Sequence, residues 1–222
     1  MSQALYIFDM DDTLIDGDTS MLWNQFLVEK GIATDPNFLK KDRELMALYA
    51  DGKLDMEEYL EYTLAPILTL STSVVNKLVQ EYIDTKVMDR VFPQAKTLLD
   101  NLKCSQTPVV IISATVSFIV QAVAQRLGIS EALGIDMQIK EDKYTSQIEG
   151  IPTYREGKVQ RLAQWLDGSD VTFDETHFFT DSINDLPLCQ HSDYAYLINP
   201  DRHLEKWAET PNWTTLHWTR AQ

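Results

Sequence analysis

Three carboxylates, Asp9, Asp11 and Asp12, fall within four positions directly after the apolar run Ala4-Leu5-Tyr6-Ile7-Phe8. Asp9 and Asp11 are two residues apart, so on an extended segment their side chains share a face. Like charges held that close need a cation between them, or one must keep its proton. The competing reading is an acidic turn after a strand, which Asp and Thr favour through local hydrogen bonds. Downstream residues shift the balance. A second apolar run, Val109-Val110-Ile111-Ile112, ends in Ser113 and Thr115, and a third, Thr176-His177-Phe178-Phe179, ends in Asp181 with Asp185 soon after. Lys158 opens a helical pattern ahead of the third run. Carboxylates from two run ends make an all-oxygen donor set suited to a hard cation such as Mg²⁺. A metal, a lysine and a hydroxyl converging on one point surround an anion with positive charge and donors, the requirement of phosphoryl transfer. Each residue also has a plainer reading: Ser113 as a helix cap, Lys158 as a solvated first-turn cation, Asp181 and Asp185 as loop acids.

Something must bring these run ends together. Apolar runs without alternation read as strands buried on both faces of a parallel sheet, and open α/β sheets hold ligands beyond the carboxyl ends of their strands. Between the first and second runs strand signals are absent. Helical patterns occupy 21–31, the stretch from Asp35-Pro36 to Asp51-Gly52, the stretch from Asp55 to Pro66, and the residues after Ser71-Thr72-Ser73. Beyond them come a helix over 95–103, a strand over 108–115, a helix stopped by Gly128, and a hairpin pairing 135–139 with 144–148. A helix from Gly157-Lys158, strands over 176–181 and 194–198, and a short helix over 202–209 complete the pattern, with the Trp207, Trp213 and Trp218 tail packing on the body. The alternation predicts an α/β fold: a Rossmann-like, doubly wound parallel sheet (1–16 and 87–222) with an inserted helical-bundle cap (17–86).

Composition narrows the partners. With 19 basic against 34 acidic residues the net charge is −15, which disfavours nucleic acid and anionic membranes. A phosphorylated metabolite remains compatible, because a bound metal reverses the local field. Cys104 and Cys189 are too few for a disulfide framework and read as reduced, partly buried thiols. Met1-Ser2-Gln3 leads into the first strand with no basic leader, no apolar run approaches membrane-spanning length, and the expectation is a cytoplasmic protein. Oligomeric state is not read from the sequence.

Four motifs in order along the chain resemble those of the haloacid dehalogenase superfamily, phosphoserine-phosphatase-like subfamily. They are Asp9-Met10-Asp11-Asp12-Thr13, Ser113 after its apolar run, Lys158 in Tyr154-Arg155-Glu156-Gly157-Lys158, and Asp181-Ser182-Ile183-Asn184-Asp185. The resemblance implies a Mg²⁺-dependent phosphatase acting through an aspartyl-phosphate. Asp9 would be the nucleophile and Asp11 the general acid and base. Asp9, the Asp11 carbonyl and Asp181 would bind Mg²⁺, with Asp185 on a metal-bound water, and Ser113 and Lys158 on phosphoryl oxygens. Asp18, Thr115 and Asn184 would face the substrate or support the phosphorylated state. A cap of this kind would close over the substrate on hinges near Asp16-Gly17 and 87–90.

The pattern also departs from that subfamily. No arginine follows the cap stretch Leu60-Glu61-Tyr62-Thr63-Leu64-Ala65-Pro66, Arg43 and Arg90 being the nearest, and Ala114-Thr115 stands where phosphoserine enzymes carry two glycines. Without a guanidinium fork, bidentate carboxylate recognition is lost. Asp18 with Glu57, Glu58 and Glu61 would instead favour an amine-bearing phosphate lacking a carboxylate, such as histidinol phosphate. The alternatives are phosphoserine hydrolysis, phosphotransfer to an alcohol on the same scaffold, and a non-enzymatic phosphate sensor.

Overall fold

The computed structural model describes residues 3–169 and 171–220. Met1 and Ser2, part of the expected run into the first strand, lie outside the described residues. The strands are β1 (Ala4–Phe8), β2 (Val109–Val116), β3 (Glu131–Ile135), β4 (Met137–Lys140), β5 (Lys143–Ile148), β6 (Glu175–Thr180), β7 (Tyr194–Ile198) and β8 (Trp213–Leu216). The helices are α1 (Thr19–Glu29), α2 (Phe38–Ala50), α3 (Met56–Leu64), α4 (Thr72–Tyr82), α5 (Pro93–Cys104), α6 (Ser117–Leu127), α7 (Glu156–Asp167) and α8 (Leu186–His191).

Six strands form one parallel sheet in the order β3-β2-β1-β6-β7-β8. Alternate residues of β1 enter opposite layers: Leu5 and Ile7 pack with Leu162 of α7 and Leu188 of α8, while Phe8 joins the layer containing Ala95, Leu99 and Ile119. This two-sided burial explains why the strands read as unbroken apolar runs. Phe8 sits opposite both Ile111 and Phe179 in the register, so β1 and β6 end side by side while β2 runs on past them to Val116.

The segment between β1 and β2 carries α1–α4. Aspartates cap two of these helices. Asp18 accepts from the Met21 amide at the head of α1, and Asp55 accepts from the Glu57 and Glu58 amides at the head of α3. Where this segment leaves and rejoins the sheet, its two linkers pair. The Asp16 amide donates to the Arg90 carbonyl at 2.8 Å, the Phe92 amide donates to the Leu14 carbonyl at 3.0 Å, and Gly17 turns the chain at φ +136°.

Several expectations need correction. Glu131–Ile135 is a parallel sheet strand that the sequence pattern did not reveal, and the antiparallel hairpin starts later and closes more tightly than expected, β4 with β5. Glu-Ala-Leu-Gly-Ile lacks the β-branched run that marks the other strands; pairing with β2 decides its conformation. The short helix over 202–209 is a single 3₁₀ turn, Leu204–Trp207, and the tail adds the edge strand β8. Both cysteines are free, but Cys104 is exposed and Cys189 buried. Among the described residues no helix is long and apolar enough to cross a membrane.

Candidate active site

Asp9 begins where β1 stops, its amide still bonded to the Phe179 carbonyl of β6 at 2.9 Å. Its side chain is therefore fixed by the sheet rather than by a loop. Lys158, in the first turn of α7, rises beneath it: Nζ donates to Asp9 at 2.8 Å and to Asp185 at 2.7 Å, and all three are buried. A first-turn cation opposes the helix dipole, and this one is held by its two carboxylate partners. They raise the lysine pKa above its ordinary value against the opposing effect of burial. Burial raises the Asp9 carboxyl to about 7, with Lys158 pulling it down and Asp185 and Asp11 pushing it up.

On the other side of Asp9 lies Thr13, fully buried. Its hydroxyl stands 3.4 Å from Asp9 Oδ2 and 3.2 Å from Asp181 Oδ1. The carboxylates at positions 9 and 181 therefore face each other across one oxygen atom. Burial, then the charge of Asp9, pushes Asp181 well above the usual carboxylate range.

Asp11 is held at both oxygens. The Thr19 amide donates to Oδ1 at 2.7 Å, and the hydroxyls of Thr115 and Ser113 donate to Oδ2 at 2.7 and 3.3 Å. Strand β2 continues to Val116, so Ser113 is a strand residue and not a helix cap. The loop before α7 locks onto it: the Thr153 hydroxyl donates to the Ser113 carbonyl at 2.5 Å.

Asp9, Asp11, Asp12, Asp18, Ser113, Thr115 and Asp181 line one cavity together with Ser20, Met46, Tyr49, Met56 and Tyr59 from the helical segment. Lys158, Asn184 and Asp185 do not line it. Asp185 is committed to Lys158 and to the Thr180 hydroxyl, and Asn184 bonds the Tyr49 carbonyl and Arg155. Of the four cap acids singled out above, only Asp18 reaches the cavity; Glu57, Glu58 and Glu61 are exposed. Burial and the neighbouring Asp11 hold the Asp18 carboxyl well above its usual range. Neither Arg43 nor Arg90 lines the cavity, and no lysine, arginine or histidine does.

Five aspartates around one cavity, with a single buried lysine behind them, leave an excess of negative charge that a cation would relieve. Among the described residues no three acidic, histidine or cysteine side chains form a complete cage. Two carboxylates plus main-chain oxygen and substrate oxygens are the donor set Mg²⁺ accepts, so the residues fit that ion.

The sequence reading missed Thr13 and Thr180 as positioning hydroxyls and Ser20, Tyr49 and Tyr59 as cavity walls. Thr13 was within reach, lying inside the first motif. Thr180 was within reach too, directly before Asp181, whereas Ser20, Tyr49 and Tyr59 carried no local signal, because only packing brings α1, α2 and α3 over the strand ends.

A sequence model of haloacid dehalogenase-like hydrolases matches residues 6–190. A histidinol-phosphatase of Neisseria meningitidis serogroup C (strain 8013) is 31% identical over 217 residues, covering 96% of this chain and 98% of that protein. A crystal structure of a protein of unknown function from Bordetella pertussis Tohama I superposes with a TM-score of 0.89 at 29% identity, covering 97% of this chain and 99% of that one. A substrate-bound phosphoserine phosphatase shares the fold, with a TM-score of 0.71 at 17% identity over 97% of this chain and 93% of that one.

Proposed function

The chain belongs to the haloacid dehalogenase-like hydrolases, and from that premise we propose a Mg²⁺-dependent phosphomonoesterase that hydrolyses a small amino-alcohol phosphate, with histidinol phosphate as the candidate substrate. The observation that carries the chemistry is the placement of Asp9, with Lys158 2.8 Å away on one side and the Thr13 hydroxyl, shared with Asp181, on the other.

In this reading Asp9 attacks phosphorus, forming an aspartyl-phosphate as the bond to the leaving oxygen breaks. Asp11 gives that oxygen a proton, then takes one from the water that attacks phosphorus and frees Asp9. The Ser113 hydroxyl, already in the cavity wall, turns from Asp11 to a phosphoryl oxygen. Lys158 reaches the reaction through Asp9, offsetting its charge as a dianion arrives. Asp185 acts behind it, fixing the ammonium. Asp9, Asp181 and the Asp11 carbonyl would hold Mg²⁺, which supplies neutralisation of the phosphoryl charge. Residues 17–86 serve as a cap over a core formed by 1–16 and 87–222, with Asn184 joining the two through the Tyr49 carbonyl.

The leaving-group side supports the substrate. Asp18 offers a carboxylate for an ammonium group, and the cavity wall offers no cation for a substrate carboxylate, which phosphoserine would bring. The relative named histidinol-phosphatase agrees with this chemistry.

The test is phosphate release from histidinol phosphate, O-phosphoserine and p-nitrophenyl phosphate, with Mg²⁺ and with EDTA, for the native chain and Asp9→Asn. The expected result is the highest kcat/KM for histidinol phosphate, no turnover in EDTA, and none by the variant. A preference for phosphoserine overturns the substrate, activity in EDTA overturns the metal, and an active Asp9→Asn overturns the nucleophile.

A further inference from the structure

The cavity above Asp9 continues past Asp18. Ser20, Tyr59 and Ala114 belong both to its wall and to that of a smaller chamber behind it, which Trp23, Asn24 and Thr63 help to close. Tyr59, on α3, is 5% exposed, and its hydroxyl has no hydrogen-bond partner among the described residues. Its polar neighbours are already engaged. The Ser20 hydroxyl pairs with Thr115, the Asn24 amide donates to Asp42, and the Thr63 hydroxyl donates to Tyr59's own carbonyl. Burial, then the charges of Asp18 and Asp42, raise the phenol pKa well above its ordinary value, opposed by a loose side-chain hydrogen bond with Ser20 that falls outside normal hydrogen-bond geometry. The phenol therefore stays protonated, able to donate and to accept.

A buried hydroxyl left unpaired is costly, and buried polar groups in folded proteins almost always have a partner. This one lies at the wall of the candidate active cavity, so a ligand can supply the partner. The indole N–H of Trp23, also on the chamber wall, is likewise unpartnered among the described residues. A leaving group that satisfies these groups needs an ammonium for Asp18 and, at its far end, a heterocycle nitrogen or similar acceptor. A hydrocarbon end leaves both polar groups unmet.

Resting on the substrate reading above, we propose that Tyr59 determines specificity by hydrogen-bonding the distal end of the leaving group, so that the site selects amino-alcohol phosphates ending in a hydrogen-bonding ring over those ending in hydrocarbon. A pocket built around a polar partner discriminates against the analogue that lacks it.

The experiment compares histidinol phosphate with phenylalaninol phosphate, which keeps the amine and an aromatic ring but has no ring nitrogen. The native enzyme is expected to favour histidinol phosphate by about tenfold or more in kcat/KM, the range of one hydrogen bond. In Tyr59→Phe the ratio of the two kcat/KM values falls toward unity, chiefly through KM for histidinol phosphate. A packing defect lowers both values together and preserves the ratio, as does a hydroxyl that contacts only water. Either result overturns the assignment of Tyr59. If the native enzyme hydrolyses p-nitrophenyl phosphate but neither amino-alcohol phosphate, the substrate reading itself fails, and the specificity proposal falls with it.

Discussion

The Thr115 hydroxyl donates a 2.7 Å hydrogen bond to the Asp11 carboxylate and is itself in contact with Ser20 Oγ at 3.1 Å. A strand residue thus orients the group assigned to proton transfer, at a position where the phosphoserine-phosphatase pattern has glycine. Thr115→Val keeps the shape and removes the donor. With an alkyl phosphate, kcat is expected to fall about 10- to 100-fold, part of the 10²–10⁴ that a positioned acid contributes. With p-nitrophenyl phosphate, whose leaving group departs without a proton, the loss is smaller, and Thr115→Ser restores both. Equal losses on the two substrates would mean the threonine serves packing alone.

Lys158 is the only cation in contact with Asp9 and Asp185 among the described residues. Lys158→Met fills the same space but leaves both carboxylates buried without a counter-ion. Breaking a buried pair in this way costs about 3–5 kcal/mol, to be read from urea unfolding. The deficit depends on pH. The folded-state pKa of Asp9, about 7 with the lysine present, rises further without it. A carboxyl whose folded pKa exceeds the unfolded value binds more protons when folded, so stability falls as pH rises. While Asp9 is protonated in both folded chains their stabilities fall in parallel, so the gap between variant and native chain opens as pH rises through about 7, where only the native Asp9 ionises. A gap independent of pH would remove the electrostatic account.

Gly157 precedes Lys158, and a Cβ there would stand 2.0 Å from the Pro152 carbonyl oxygen. That contact is with backbone, so a side chain cannot swing clear. Gly157→Ala must push the 151–156 loop away from α7, and Thr153 off the Ser113 carbonyl with it. A loss of about 1–3 kcal/mol, the usual cost of overpacking, is expected together with a fall in kcat. Native stability and activity in this variant would show that the loop is free to move.

Arg155 ties the end of α2 to the sheet. Its guanidinium bonds the Gly52 carbonyl and Asn184 Oδ1, while Tyr154 stacks on Tyr49 with ring centres 5.5 Å apart. Arg155 holds φ +53°, a strained backbone for a residue with a side chain. Arg155→Ala is expected to speed amide exchange across 46–56 and raise KM about tenfold, the equivalent of about 1.4 kcal/mol of lost closure energy. Unchanged exchange there would place the hold between α2 and the sheet elsewhere.

The sequence determined the strands that carry chemistry, because a strand buried on both faces reads as an apolar run and the polar residues that close the run lie near the edge of the buried layer. Asp9, Ser113 and Asp181 were legible as the polar residues that close such runs, although β2 itself continues to Val116, and the helical character of the inserted segment followed from its periodicity and from start signals such as Asp55. The weak strand Glu131–Ile135 and the edge strand Trp213–Leu216 were not legible, since their conformation comes from a neighbour's hydrogen bonds. Tertiary structure alone decided that Glu57, Glu58 and Glu61 face solvent while Asp18 faces the cavity, that Asp185 serves Lys158, and that the Tyr59 hydroxyl finds no well-placed partner among the described residues. Charge and spacing say which groups a chain possesses. Which of them share one dry space depends on how helices far apart in sequence settle over the sheet, and that is fixed by packing.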